Sequence, residues 1–203
     1  MHTAPIFPEP AWDVSRLFPA QGAWSEEEYL ALPGNHLVEF DSGCIEVLDM
    51  PSELHQTIML FLCRALSAYV SQHKLGKVLV APLPVKLWEG KMREPDVLFM
   101  RHEHRDRRHE NYWSGADLVM EVISPGDPGR DKITKRHEYA KAGIPEYWLV
   151  DPVEQTVTVL SLLERAEEYA VHGVFSIGET ARSPSIPGFS MALEELFSTD
   201  LND

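Results

Sequence analysis

One glutamate constrains this chain more than any other residue. Glu121 interrupts the run Leu118-Val119-Met120-Glu121-Val122-Ile123, which is otherwise apolar throughout. A strand apolar on both faces belongs in the interior of a covered sheet, and a carboxylate there is costly without a partner. A second carboxylate, Asp96, heads another apolar run, Val97-Leu98-Phe99-Met100. Side chains alternate along a strand, so Asp96 shares a face with Leu98 and Met100, and Glu121 with Val119 and Ile123. If the two strands are neighbours, both carboxylates converge at one end of the sheet, where they repel unless a cation lies between them. A hard divalent ion such as Mg²⁺ takes oxygen ligands of this kind.

A helix is expected from about Arg130 to Ala142, capped by Gly143 and unable to continue through Pro145. Asp131, Lys135 and Tyr139 recur every fourth residue and line one stripe of it. That stripe can face the carboxylates, and a lysine there suits an anionic substrate. The competing reading of Asp131 with Lys135 is a surface ion pair, worth a few tenths of a kcal/mol.

The other segments read as an α/β or α+β domain with helices on a mixed central sheet. Residues 1–23 form an irregular arm, 24–198 a single domain and 199–203 a tail. Ser25 and Glu28 make a capping box for a short helix that Pro33-Gly34 ends. Leu37–Phe40 and Cys44–Leu48 read as a β-hairpin. His55–His73 has the spacing of a well-buried amphipathic helix, with Gly76 just past its end. Strand-like runs follow at Lys77–Ala81 and Val85–Trp88, and a turn at Glu89-Gly90-Lys91 leads back into the Asp96 strand. Glu146–Asp151 is a further strand. Gln155–Leu162, Glu167–His172 and Val174–Ile177 suggest a terminal antiparallel meander, closed by a helical turn at Met191–Phe197.

The net charge of −14 argues against broad nucleic-acid affinity, which needs positive surface. The charge is unevenly spread. Arg101 to Lys141 holds nine Lys/Arg against eight Asp/Glu, whereas Gly143 to the end holds two against eleven. Two cysteines, Cys44 and Cys63, are too few for a disulfide framework and suggest a cytoplasmic protein. No apolar run approaches the roughly 20 residues that span a bilayer, so no membrane partner is expected. His102-Glu103-His104 and His109 lack zinc-protease spacing. With Arg105, Arg107 and Arg108 they form a solvated loop able to contact a phosphate backbone. Tyr147-Trp148 lies in an apolar run and belongs to the core. Walker, dinucleotide-binding and nucleophile-elbow signatures are absent from the sequence.

The run Glu121-Val122-Ile123-Ser124-Pro125, then Arg130-Asp131, Lys135, Tyr139 and Ala142 through Pro152, resembles the signature of the Uma-two family of restriction-endonuclease-like proteins, within the PD-(D/E)XK nuclease superfamily. Glu39, Gly43, Met50-Pro51 and His55 upstream, and Ile186-Pro187-Gly188-Phe189 downstream, extend the resemblance over nearly the whole chain. It implies a restriction-endonuclease-like fold and metal-dependent hydrolysis of DNA phosphodiesters. Asp96, Glu121 and the main chain of Val122 would hold Mg²⁺ or Mn²⁺. The superfamily usually keeps its lysine two residues after the second acid, where this chain has Ile123. The resemblance therefore implies that Lys135 takes that role from the helix. Lys132 is the rival, about 300° around the helix from Lys135. Glu39 is either a third carboxylate of the site or a polar hairpin residue, and His55 either a site residue or a capping or solvent-facing histidine. A homodimer would serve to cut both strands. The alternatives are a non-catalytic nucleic-acid or protein-binding module on this fold, and a metal-dependent hydrolase of another anionic substrate.

Overall fold

The computed structural model describes residues 18–32, 37–124 and 126–198. The expected stop at Pro33-Gly34, most of the N-terminal arm and the tail lie outside them. Where the arm is described, it is tied to the hairpin: Gln21 exchanges hydrogen bonds with the backbone of Ile45, and Gly22 and Trp24 donate to the Gly43 carbonyl.

Ser25 caps α1 (Glu26–Leu30) with the expected reciprocal capping box to Glu28. β1 (Val38–Asp41) and β2 (Cys44–Val47) pair as an antiparallel hairpin. Their two-residue turn places Ser42 and Gly43 both at positive φ, the type I′ geometry that matches strand twist. The long helix α2 (Glu53–Gln72) begins two residues before the expected His55, because Ser52 supplies the cap by accepting from the His55 N–H. Then follow β3 (Gly76–Val80), β4 (Val85–Trp88), β5 (Lys91–Arg93) and β6 (Val97–Arg101). The turn after Trp88 does not lead straight into the Asp96 strand. It leads into β5, and the chain leaves that strand at Glu94-Pro95-Asp96 to enter β6 in a different sheet. Pro95 has no N–H to give to a ladder, so pairing stops there.

A 3₁₀ segment, His102–Arg107, follows, then β7 (Trp113–Ser114) and β8 (Leu118–Val122). The expected helix after Gly129 opens as a π-helical turn, Arg130–Lys135, and continues as α3 (Arg136–Lys141). Gly143 follows with φ +75°, the left-handed helix-ending position. β9 (Glu146–Asp151), β10 (Thr156–Ser161) and β11 (Ala170–Ser176) form the meander. The two strand segments expected after Glu167 are one strand, passing through Gly173. β12 (Thr180–Arg182), β13 (Ser190–Ala192) and α4 (Leu193–Phe197) close the chain.

The main sheet has the order β11-β10-β9-β8-β6-β3, with β8 parallel to β9 and antiparallel to β6. A second sheet has the order β2-β1-β5-β4-β7. One face of the main sheet packs Val97, Phe99, Met120 and Trp148 against Ile58, Leu62 and Leu66 of α2 and against α4. The other packs Leu98, Met100, Val119 and Tyr147 against Val85 and Trp113 of the second sheet and Tyr139 of α3. The main sheet is thus covered on both faces, which is why β8 is apolar on both. Among the described residues no helix is long and apolar enough to cross a membrane.

Gly76, just past the end of α2 as expected, is the first residue of β3. A Cβ there would lie 2.1 Å from the Met100 carbonyl oxygen and 2.9 Å from the Arg101 Cα, both backbone atoms of the paired strand. Gly76→Ala should therefore cost about 2–4 kcal/mol, read as a lowered urea midpoint followed by circular dichroism.

Candidate active site

The antiparallel register pairs Val97 with Met120 and Leu98 with Val119. One step further along each strand, that register carries Asp96 toward Glu121. The Val122 N–H donates to Asp96 Oδ2 at 2.7 Å, and His55 Nε2 of α2 lies 3.3 Å from the same oxygen. His55 is not the helix cap, since Ser52 accepts from its N–H, and its ring faces Asp96 and not solvent. Burial works against a charged imidazole there, but the contact with Asp96 outweighs it and raises the pKa.

Glu121 is buried, and Tyr139 donates to its Oε1 at 2.6 Å. Lys135 Nζ lies 2.9 Å from the same oxygen and 3.2 Å from Asp131 Oδ1. The lysine is itself buried. Burial lowers an ammonium pKa, yet the nearby Glu121, Glu39, Asp131 and Asp96 reverse the sign and hold Lys135 firmly protonated. Burial, followed by Tyr139's acidic neighbours, raises that phenol's pKa and keeps it a hydrogen-bond donor. Burial also raises the Glu121 pKa, opposed by Lys135 and reinforced by Asp96 and Asp131. Lys132, the rival, turns away to Asp151 at 2.8 Å.

Asp131 and Lys135 lie in the π turn, and Tyr147 of β9 donates to the Asp131 carbonyl at 3.1 Å. Such turns interrupt helices at functional sites more often than elsewhere. This local geometry has no signature in the spacing of the residues.

Glu39 of β1 is fully buried and joins the second sheet to the site. Its Oε1 accepts from the Glu94 N–H at 3.0 Å and lies 3.8 Å from Lys135 Nζ. Its Oε2 takes Arg93 Nη1 at 2.7 Å and also Arg130 Nη2. Despite the opposing effect of burial, Lys135, Arg93 and Arg130 depress its pKa. Beyond it, Arg93 makes a forked contact with Glu138 at 2.7 and 3.0 Å, and Lys91 reaches both Glu138 and Asp41 at 2.6 Å. The sequence reading missed Arg93, Glu138 and Glu94. The available signal was the alternation of charges in Lys91-Met92-Arg93-Glu94 beside an apolar strand. Glu94 is buried, and its Oε2 has no partner among the described residues; burial, then Glu39, pushes its pKa up to about 8.

Glu94, Asp96, Glu121, Asp131 and Lys135 line one open cavity of about 920 Å³. Among the described residues no group of three or more His, Cys, Asp or Glu side chains has metal-cage geometry. Two carboxylates do suit Mg²⁺, which keeps several waters and is commonly held by one or two carboxylates together with substrate phosphate. The donor chemistry of Asp96 and Glu121 therefore fits such an ion. The basic 3₁₀ segment lies at the opposite end of β6 from Asp96, so it is remote from this cavity. Tyr147 and Trp148 are buried in the core as expected.

A mixed sheet covered on both faces, with two acids at adjacent strand ends and a lysine beside them, defines the restriction-endonuclease-like class of fold. The chain belongs to the Uma2 family, described as "Putative restriction endonuclease", whose profile matches residues 26–194. It is also similar to the crystal structure of a "putative nuclease belonging to DUF820" from Anabaena variabilis ATCC 29413. The two share 22% identity at a TM-score of 0.68, over 86% of this chain and 97% of that one. No curated protein matches the chain.

The Arg93–Glu138 pair anchors the second sheet to α3. Burial would raise the Glu138 pKa, but Arg93 and Lys91 lower it on balance. Its ionisation therefore stabilises the fold above the ordinary glutamate pKa, and that contribution is lost as pH falls through the depressed folded value. Glu138→Gln should cost about 2 kcal/mol or more at pH 7. The gap from the parent should shrink below about pH 4, as measured by denaturation across a pH series.

Proposed function

We propose that this protein is a metal-dependent endonuclease that hydrolyses DNA phosphodiester bonds at the floor of the Asp96–Glu121 cavity. One observation carries the reading: Lys135 reaches from the π turn to within 2.9 Å of Glu121, beside the strand end that bears Asp96. The ligands would be Asp96, Glu121 and the main chain of Val122. Mg²⁺ or Mn²⁺, when bound, would supply an activated water and neutralise charge on the reacting phosphate.

The remaining roles follow from the chain's own contacts. His55 and the Val122 N–H orient Asp96, while Tyr139 orients Glu121. Asp131 and Glu39 hold the Lys135 ammonium in place. An ammonium so surrounded is a poor proton acceptor. Its part is to stabilise the negative charge that grows on phosphate oxygens during attack. A homodimer would serve to cut both strands of a duplex.

Purified protein should nick supercoiled plasmid with Mg²⁺ or Mn²⁺ and lose that activity in Glu121→Ala. Absence of nicking and of cleavage of any DNA oligonucleotide with either ion would reject the reading. Lys135→Ala should lower kcat by about 10²–10³-fold. The same variant should bind Mn²⁺ at least as tightly in calorimetry, because no ammonium then competes for Glu121. Parallel loss of metal binding would instead mark the lysine as structural.

A further inference from the structure

The cavity is larger and less polar than a metal site and one phosphate require. About 920 Å³ falls near the top of the roughly 300–1,000 Å³ typical of pockets that take whole small ligands. Besides its carboxylates it has an apolar wall, in which Asp49 and Gln56 are interspersed. Val38, Val47 and Leu48 come from the β1–β2 hairpin and its exit, Met50 from the link to α2, and Met59 from α2 itself. Val47 and Met50, both in this lining, are 81% and 85% exposed.

The charge around the cavity is unsuited to a rigid polyanion. Its lining includes six carboxyl groups, Asp49, Glu94, Asp96, Glu121, Asp127 and Asp131, against the two fixed cations Arg130 and Lys135 and the imidazole of His55. Burial favours the neutral form of Glu94, Glu121 and Asp131. Both cations are already engaged: Arg130 with Glu39 and Glu46, Lys135 with Glu121 and Asp131. The exposed Arg105 and Arg107 follow the far end of β6, roughly 17 Å from Asp96 by strand rise. Duplex DNA carries a charge every 1.7 Å or so and is held by flanking Lys and Arg that release its counterions. A duplex laid across this mouth would meet carboxylates instead.

We propose that the apolar wall receives an unstacked nucleobase, so that the preferred substrate is single-stranded DNA and not continuous duplex. The proposal rests on the phosphodiesterase reading above. A single strand can turn one base into the wall, bring the adjoining phosphate to the carboxylate floor and lead the rest of its backbone away. Exposed Val47 and Met50 then become the outer edge of the base site. Apolar contact with a base face is tolerant of sequence, since every base has one.

The test uses one labelled oligodeoxynucleotide in three forms, with Mg²⁺ or Mn²⁺: single-stranded, annealed to its complement, and with a central run of abasic residues. The expected result is cleavage of the single strand at least about tenfold faster than either of the others. A Val47→Thr/Met50→Gln double variant changes polarity without adding charge, at positions exposed enough to spare the fold. It should raise KM about tenfold for the base-bearing strand, with kcat and the abasic strand little affected. Duplex cut as fast as single strand, or the abasic run cut as fast as the base-bearing one, overturns this inference and leaves the nuclease reading standing. Failure to cut any of the three rejects both.

Discussion

A lysine ammonium almost without solvent sets the conditions that the rest of this structure must meet. Lys135 could not remain charged among buried side chains unless carboxylates approached it from several sides. Glu121 comes from the central strand, Asp131 from the π turn, and Glu39 from the hairpin in the other sheet. Three separate elements are thus bound to one charge. Glu39 passes the constraint outward to Arg93 and Arg130, and Arg93 passes it to Glu138. The seam between the two sheets at this end is a chain of alternating charges, whereas apolar packing joins them deeper in. Most members have more than one partner, as Arg93 has Glu39, Glu46 and Glu138, so removing one charge weakens the network without leaving its neighbours unpaired.

The chain crosses between sheets where the chemistry is concentrated. Arg93, Glu94 and Asp96 are consecutive but for Pro95, and they serve different partners: Glu39 and Glu138, Tyr29, and Val122 with His55. A continuous strand would have alternated these side chains across one sheet. The proline ends the first ladder, and the crossing lets neighbouring residues address both sheets. Asp96 gains its place at the sheet end from this break.

Much of this arrangement was legible because it leaves periodic traces. An apolar run on both faces of β8 announced an interior strand, and one acid within it announced a site. Four-residue spacing put Asp131, Lys135 and Tyr139 on one stripe: Lys135 and Tyr139 contact Glu121, and Asp131 contacts Lys135. What could not be read was anything that depends on contacts between distant segments. β5 has only three residues, too few to show a period, so the division into two sheets went unseen. The π turn changes the helix without changing its sequence spacing. Arg93 and Glu138 look like ordinary surface charges until folding makes them partners 45 residues apart.

The acidity of the chain looks at first like an argument against any phosphate chemistry. Locally it has another consequence under the proposed reading. The cavity holds more carboxylates than cations, and its cations are committed to internal pairs. Phosphate is then repelled unless a divalent ion, or the protons that burial favours on Glu94 and Glu121, neutralises part of that excess. Metal and substrate affinities become coupled, and linkage requires the coupling to be reciprocal: bound phosphate must tighten the ion by the same factor. Glu121 and its neighbours would thus do more than provide ligands. Their mutual repulsion makes the metal-free cavity a poor phosphate site, and selectivity for the metal-loaded state follows from the same charges that hold Lys135.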